Sequence, residues 1–240
     1  MIKKEIAILL PYKENYNINR AGAASIWIKD YLSLSKLKNK TIIYGNLEKK
    51  IKPLTNNFIN IDLTGKVIKK NIRYTEILFE DCKKKKYSII EIHNRPESLR
   101  FLIQKKIDAK LIFVFHNNPK EMRGSNTIKE RIFITENCDH IYFVSRWVKD
   151  KFFEGLPYNE RNNCEILYPS IKPLKKFPKK ENLIIFCGKL NSSKGYDIFG
   201  TAVVKILNKY KDWKAIAIGN EPREKLDFNH KNFKILDWIK

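Results

Sequence analysis

The sequence predicts an α/β fold: a parallel sheet covered by helices on both sides, followed by a smaller unit of the same kind. Three observations predict it. Short apolar runs alternate with helix-like stretches along the whole chain. The runs are apolar on both faces and end in polar or glycine-bearing turns, the pattern of buried parallel strands. A stretch rich in proline and lysine, Pro169 to Glu181, separates the first alternation from a second.

Glu5 to Tyr12 is expected as a strand closed by Pro11, with a polar loop from Lys13 to Arg20 behind it. Ala21-Gly22-Ala23-Ala24-Ser25 then opens a helix through about Lys36, with Ile26, Trp27, Tyr31, Leu32 and Leu34 as its apolar members. Thr41 to Tyr44 and part of Asn57 to Leu63 are short strands, and Val67 to Lys85 has helical spacing. Ser88 to Ile92 is a β-branched strand ended by His93-Asn94-Arg95-Pro96, and Glu97 to Lys106 is a helix. Ala109 to Phe115 is the clearest buried strand and ends in His116-Asn117-Asn118-Pro119. Helix Thr127 to Asn137, strand His140 to Val144, helix Ser145 to Phe153 and strand Glu165 to Tyr168 complete the first unit. After the linker come strand Leu183 to Cys187, helix Tyr196 to Tyr210, strand Trp213 to Ile218 and strand Phe233 to Leu236. The expected organisation is a domain at 1–170, a linker at 171–181 and a partial second domain at 182–240. A second unit of this size is thin for an independent doubly wound domain, so a fragment, or a chain completed by a partner, is expected.

A hydrophobic fraction of 43% and an aromatic fraction of 12% supply a core and exclude a disordered chain. The net charge of +22 has two readings. One is attraction to polyanions, including anionic lipid. The other is a compositional bias, since Lys, Ile and Asn are all heavily used. The cysteines Cys82, Cys138, Cys164 and Cys187 form no CxxC pair and no His lies at zinc-ligand spacing, so no metal is implied and a reducing, cytoplasmic compartment is expected. Cys138 and Cys187 are expected as small core residues, and Trp27 and Trp147 as core aromatics. No run approaches the ~20 apolar residues that span a bilayer.

In such sheets ligands bind beyond the carboxyl ends of the strands, which directs attention to Asn15 to Gly22, His93 to Arg95, His116 to Asn118 with Asn117 between them, and Ser145. The most informative segment is Gly188-Lys189-Leu190-Asn191-Ser192-Ser193-Lys194-Gly195, between a buried strand and a helix start. Two lysines on a glycine-bounded turn suit an anionic phosphate. Lys189 and Lys194 have the alternative of being ordinary surface lysines, and His116 of merely satisfying backbone groups at a strand end. His93 divides between a site residue and a turn residue, and Gly22 between phosphate approach and close helix packing.

The order of these features resembles a family-4 glycosyltransferase of GT-B fold, a retaining enzyme using a nucleotide-sugar. The resemblance is carried by Phe186-Cys187-Gly188-Lys189-Leu190 through Lys194-Gly195, and next by Ile216-Ala217-Ile218-Gly219. It implies a Rossmann-like acceptor domain plus the start of a Rossmann-like donor domain. It also implies that Lys189 and Lys194 bind the donor diphosphate with Gly188 and Gly22, and that His116 lies by the reacting sugar. Gly219 becomes a nucleotide contact, and His93, Asn94, Arg95 and Asn117 become acceptor or sugar contacts. His93-Asn94-Arg95-Pro96 is similar to members acting on lipopolysaccharide or other surface glycans. The expected function is transfer of a sugar from a nucleotide-diphosphate sugar to such a precursor, with retention and no cofactor. Its setting is the cytoplasm or the inner face of the membrane, in peripheral contact with anionic lipid. Members usually carry Arg where this chain has Lys189. They also carry a Glu-x7-Glu motif that has no counterpart before Lys240, so the alternative is an inactive glycan- or anionic-lipid-binding module. A nicotinamide enzyme is disfavoured because the first strand is followed by a single Gly22 rather than G-x-G-x-x-G. Specific nucleic-acid binding is not expected, for no helix-turn-helix, zinc or RNP-like pattern accompanies the charge.

Overall fold

The computed structural model describes residues 5–12, 14–19, 21–47, 51–63, 70–170, 173 and 176–239. The expected helix start at Val67 and Ile68, and Ile171, Lys172, Leu174 and Lys175 of the linker, lie outside the described residues. The chain divides into two compact units, Met1–Lys172 and Pro173–Lys240.

The first unit is one seven-stranded sheet with every strand pair parallel. Its strands are β1 (Ile6–Leu9), β2 (Thr41–Gly45), β3 (Phe58–Asn60), β4 (Ile89–His93), β5 (Lys110–Phe115), β6 (His140–Phe143) and β7 (Cys164–Ile166). They lie in the order β3-β2-β1-β4-β5-β6-β7. The helices are α1 (Ala23–Leu34), α2 (Lys70–Lys85), α3 (Pro96–Gln104), α4 (Ile128–Asn137) and α5 (Arg146–Phe153). Strand order reverses at the β1–β4 neighbours, and successive connections there leave toward opposite faces and open a crevice at the strand ends.

Two buried clusters show that both faces are covered. Leu9, Ile90, Ile92, Phe113, Phe115 and Phe143 pack with α2, α3 and α5, whereas Ile8, Leu10, Ile43 and Val114 pack with Trp27, Ile28 and Leu32 of α1. Neighbours in the β5 sequence therefore point to opposite layers, the physical content of a strand apolar on both faces. α4 starts on a reciprocal cap: Thr127 Oγ1 accepts from the Glu130 amide at 3.2 Å and the Glu130 carboxylate accepts from the Thr127 amide at 3.1 Å.

The second unit holds β8 (Leu183–Cys187), α6 (Tyr196–Lys209), β9 (Lys214–Ile218) and β10 (Phe233–Leu236), with the parallel order β10-β9-β8. Its core is Val203, Leu207 and Ala215, with Ile184, Phe199, Trp213 and Phe233 against them. Alternation along β8 puts Ile184 and Phe186 on the helix side and Ile185 and Cys187 on the other. Ile185 and Cys187 are exposed there.

Some expectations need correction. Cys187 is exposed rather than a core residue, because it follows Ile185 in period on the uncovered face. Trp147 is 54% exposed, since α5 turns Val148, Phe152 and Phe153 inward instead. On α1, Trp27 and Leu32 are buried, but Ile26 and Leu34 face outward. No helix among the described residues is long and apolar enough to cross a membrane.

Candidate functional site

At the carboxyl end of the first sheet, three side chains form a hydrogen-bonded chain. Glu91 and His93 stand two residues apart on β4, hence on one side of the sheet, and His116 is the first residue past β5. Nε2 of His93 lies 2.7 Å from Glu91 Oε1, and Nδ1 of His93 lies 2.8 Å from Nε2 of His116. Tyr31, reaching from α1, donates its hydroxyl to Glu91 Oε1 at 2.6 Å. Trp27, one helical turn earlier, meets both imidazoles near edge-on, with centroids 5.8 Å from His93 and 5.2 Å from His116.

The backbone holds this geometry. Asn94 adopts a left-handed φ of 52°, where Asn is among the better-tolerated residues. Its amide donates to the Val114 carbonyl at 3.0 Å, and its side-chain oxygen accepts from the His116 amide at 2.8 Å. The ends of β4 and β5 are thereby tied together, and His93 is fully buried. Burial, and then the neighbouring His93 charge, push His116 down from 6.5 to about 3, so its ring is neutral at ordinary pH. Burial would raise Glu91, but the hydrogen bonds from His93 and Tyr31 and the His93 charge outweigh it and hold the carboxyl below its usual range. Among the described residues, the outward Nδ1 of His116 makes no hydrogen bond. Asn117 beside it is exposed.

Gly22 and Arg95 flank the same strand ends. A Cβ on Gly22 would run into the Glu14 carboxylate, which accepts from the Ser25 amide at 3.2 Å in the first turn of α1. The missing side chain thus admits an anion to a helix N-terminus, and in this structure the anion is the chain's own Glu14. Arg95 donates to the carbonyls of Asn94 at 2.8 Å and Tyr12 at 3.3 Å, and with Tyr12, Lys70 and Arg123 lines a cavity of 560 Å³.

In the second unit, β8 runs into Gly188 and a turn whose Ser192–Lys194 form one 3-10 turn before Gly195 caps α6. Gly195 has φ 75°, which lets the chain reverse into the helix without a Cβ clash. Lys189 and Lys194 are exposed, and neither has an ion pair among the described residues. The turn is built on buried Asn191. Its carbonyl accepts from the amides of Lys194 at 3.1 Å and Tyr196 at 3.2 Å, and its side chain accepts from Ser193 Oγ at 2.9 Å. Gly219, just past β9, has φ 142°, and its Cα lies so close to the Gly188 carbonyl oxygen that any Cβ would overlap it. Gly188 and Gly219 therefore meet backbone to backbone at the strand ends.

Two acids beside this turn were not singled out from the sequence. The buried Glu221 carboxylate accepts from Arg223 Nε at 2.7 Å and Nη2 at 2.8 Å, and those bonds hold it down to about 2, with a small contribution from the Lys189 charge. Glu224 accepts from the Ser192 amide at 3.0 Å, at the start of the 3-10 turn. Glu91, Tyr31 and Trp27 were likewise not assigned to a site. The available signals were a carboxylate inside the β-branched run Ile89 to Ile92, and two acids just after Gly219-Asn220. Among the described residues, no group of three or more His, Cys, Asp or Glu is placed to hold a metal ion.

No protein-family model matches this sequence, and no curated protein does. Solved structures do. HepE of Anabaena in complex with UDP-glucose matches at TM-score 0.69 and 11% identity, over 98% of this chain and 69% of that one. Sucrose-phosphate synthase of Thermosynechococcus elongatus matches at TM-score 0.64 and 11% identity, over 92% and 64%. The UDP-GlcNAc 2-epimerase of Neisseria meningitidis bound to UDP-GlcNAc matches at TM-score 0.59 and 9% identity, over 98% and 72%. This chain spans between 64% and 72% of the length of these neighbours. The likeness establishes the fold: two Rossmann-like parallel-sheet units in succession, as in the GT-B glycosyltransferases and UDP-GlcNAc 2-epimerases.

Proposed function

We propose that this chain belongs to a glycosyltransferase that moves a sugar from a nucleotide-diphosphate sugar to a cell-surface glycan or lipopolysaccharide precursor, with retention. The observation that carries the reading is the turn from Gly188 to Gly195, which presents two exposed ammonium groups, without ion pairs among the described residues, at the end of a parallel strand. Negative charge builds on the diphosphate as the sugar leaves, and fixed cations there stabilise that change. Lys189 and Lys194 are assigned to the diphosphate. Gly188 is assigned to the diphosphate with them, Gly22 too once Glu14 moves aside, and Gly219 to the nucleotide. His116 is assigned to the sugar. His93, Asn94, Arg95 and Asn117 are assigned to the sugar or the acceptor side.

In the proposed step the anomeric carbon–oxygen bond breaks, and the nucleoside diphosphate leaves with the electron pair. The acceptor oxygen bonds to the same face, and its proton passes to the departing phosphate. Neither a metal nor an organic cofactor is part of the proposal. The net charge of +22 supports peripheral attachment to anionic lipid on the cytoplasmic face.

The test is a calorimetric panel of nucleoside diphosphates and their sugars against the wild-type chain and Lys194→Ala. An exposed lysine within ~4 Å of a phosphate contributes about 1–1.5 kcal/mol, so the variant should bind the preferred nucleotide roughly 5–10-fold more weakly. Its melting temperature should not change, because Lys194 is exposed and has no ion pair among the described residues. No binding by any member of the panel, or equal affinity in the variant, would remove the reading.

A further inference from the structure

We propose that Glu91 and His93 are positioning residues: their hydrogen-bonded relay sets which nitrogen of His116 carries the proton, and so whether its outward Nδ1 accepts or donates a hydrogen bond. The functional meaning of this relay rests on the assignment of His116 to a sugar; its chemistry does not.

The geometry restricts the protons closely. Glu91 Oε1 accepts from Tyr31 at 2.6 Å and lies 2.7 Å from His93 Nε2. A carboxylate can only accept, so the proton of that contact belongs to His93 Nε2. Two states then remain. With His93 neutral, its Nδ1 is a lone pair, and the 2.8 Å contact requires the proton on His116 Nε2. Nδ1 of His116 is then a bare acceptor. With His93 doubly protonated, its Nδ1–H donates to His116 Nε2, and the single proton of a neutral His116 must sit on Nδ1.

Passage between the states balances. A proton enters at His116 Nδ1 while the Nε2 proton crosses to His93 Nδ1, so His116 stays neutral and the charge rests on His93 beside the Glu91 carboxylate. Among the described residues, Tyr31 on α1 and Tyr142 on β6 interact electrostatically with Glu91, and Tyr16 with Tyr31. Burial raises all three phenols, so they stay neutral and Glu91 supplies the countercharge. Trp27 packs on both rings, and Asn94 holds the His116 backbone, which keeps the rings in line through either state.

The consequence is a defined polarity at one position. In the first state His116 accepts a hydrogen bond from a sugar hydroxyl and adds no positive charge beside a ring that becomes electron-poor as the diphosphate leaves. In the second it donates instead.

The experiment is side-chain nitrogen NMR of the uniformly 15N-labelled full chain, without ligand, across the pH range in which it remains folded. His116 should stay singly protonated, and its tautomer should change from Nε2–H to Nδ1–H as the pH is lowered. In His93→Phe the tautomer of His116 should not change over the same range. If that variant does not fold, the wild-type chain decides through the scalar coupling across the His93–His116 contact: its proton should be bonded to His116 at high pH and to His93 at low pH. A His116 that keeps one tautomer across the native range, or becomes doubly protonated along with His93, overturns the relay. Absence of nucleotide-sugar binding would remove the transferase reading and leave this result standing; a fixed tautomer would do the reverse.

Discussion

The depressed basicity of His116 makes a stability prediction confined to a narrow pH window. In the unfolded chain its imidazole titrates near 6.5, and in the fold at about 3, because burial and the His93 charge disfavour the cation. Between these values the unfolded state binds a proton that the native state does not, so stability must fall as pH falls. The contribution is fully present above 6.5 and is lost progressively toward 3. Each pH unit is worth about 1.4 kcal/mol, and starting from a half-protonated unfolded group the loss from pH 6.5 to 4.5 is about 2 kcal/mol. That interval isolates the effect. The carboxyls of Glu91, Glu154 and Glu221 are depressed below 4.5, so their own stabilisation is lost only at lower pH. The perturbation is His116→Gln, and the assay is urea unfolding at a series of pH values, followed by the tryptophan fluorescence to which Trp27, packed against His116, contributes. Wild type should lose about 2 kcal/mol more than the variant between pH 6.5 and 4.5, whatever the offset between them at pH 7.5. Parallel curves would show that His116 titrates alike in both states and would refute the burial argument.

Two further outcomes follow from the second unit. Gly219→Ala must place a Cβ onto the Gly188 carbonyl oxygen at a φ of 142°, and neither atom can swing away, so unfolding of residues 173–240 should be easier by roughly 2–4 kcal/mol. Hydrogen exchange would report it as faster exchange in β8 and β9 with the first unit unchanged, and equal protection would contradict the backbone contact. Brief alkylation of the native chain should label Cys187 alone, since Cys82, Cys138 and Cys164 are buried and burial pushes the thiols of Cys82 and Cys164 up to about 12. Prompt labelling of a second cysteine, read by mass spectrometry, would disagree with that burial.

Local pattern decided a large part of this protein. The run from Leu111 to Phe115 is apolar whichever neighbour it faces, so it announces a buried strand without any partner being known. The segment Gly188 to Gly195 carries its own start signals, and it forms the glycine-bounded turn before α6. Alternation of strands and helices was enough for parallel sheets, because parallel strands need a crossover between them.

Strand order and facing were decided only in three dimensions. Nothing in β1 or β4 says that they are neighbours, yet that pairing puts the strand-order reversal beside His93. Cys187 ends an apolar run and Trp147 precedes Val148 on a helix, yet both are exposed in space. Glu91 looks like an interruption in a β-branched strand until Tyr31 from α1 and His93 from its own strand close on it, and His116 comes from a third element. Proton position in that chain depends on contacts of 2.6–2.8 Å between residues up to 60 positions apart, which no local pattern encodes. Sequence determined which segments fold and which residues stand at the strand ends. Tertiary structure determined which of them share protons, because hydrogen bonding falls off within tenths of an ångström while periodicity fixes a residue only to a face.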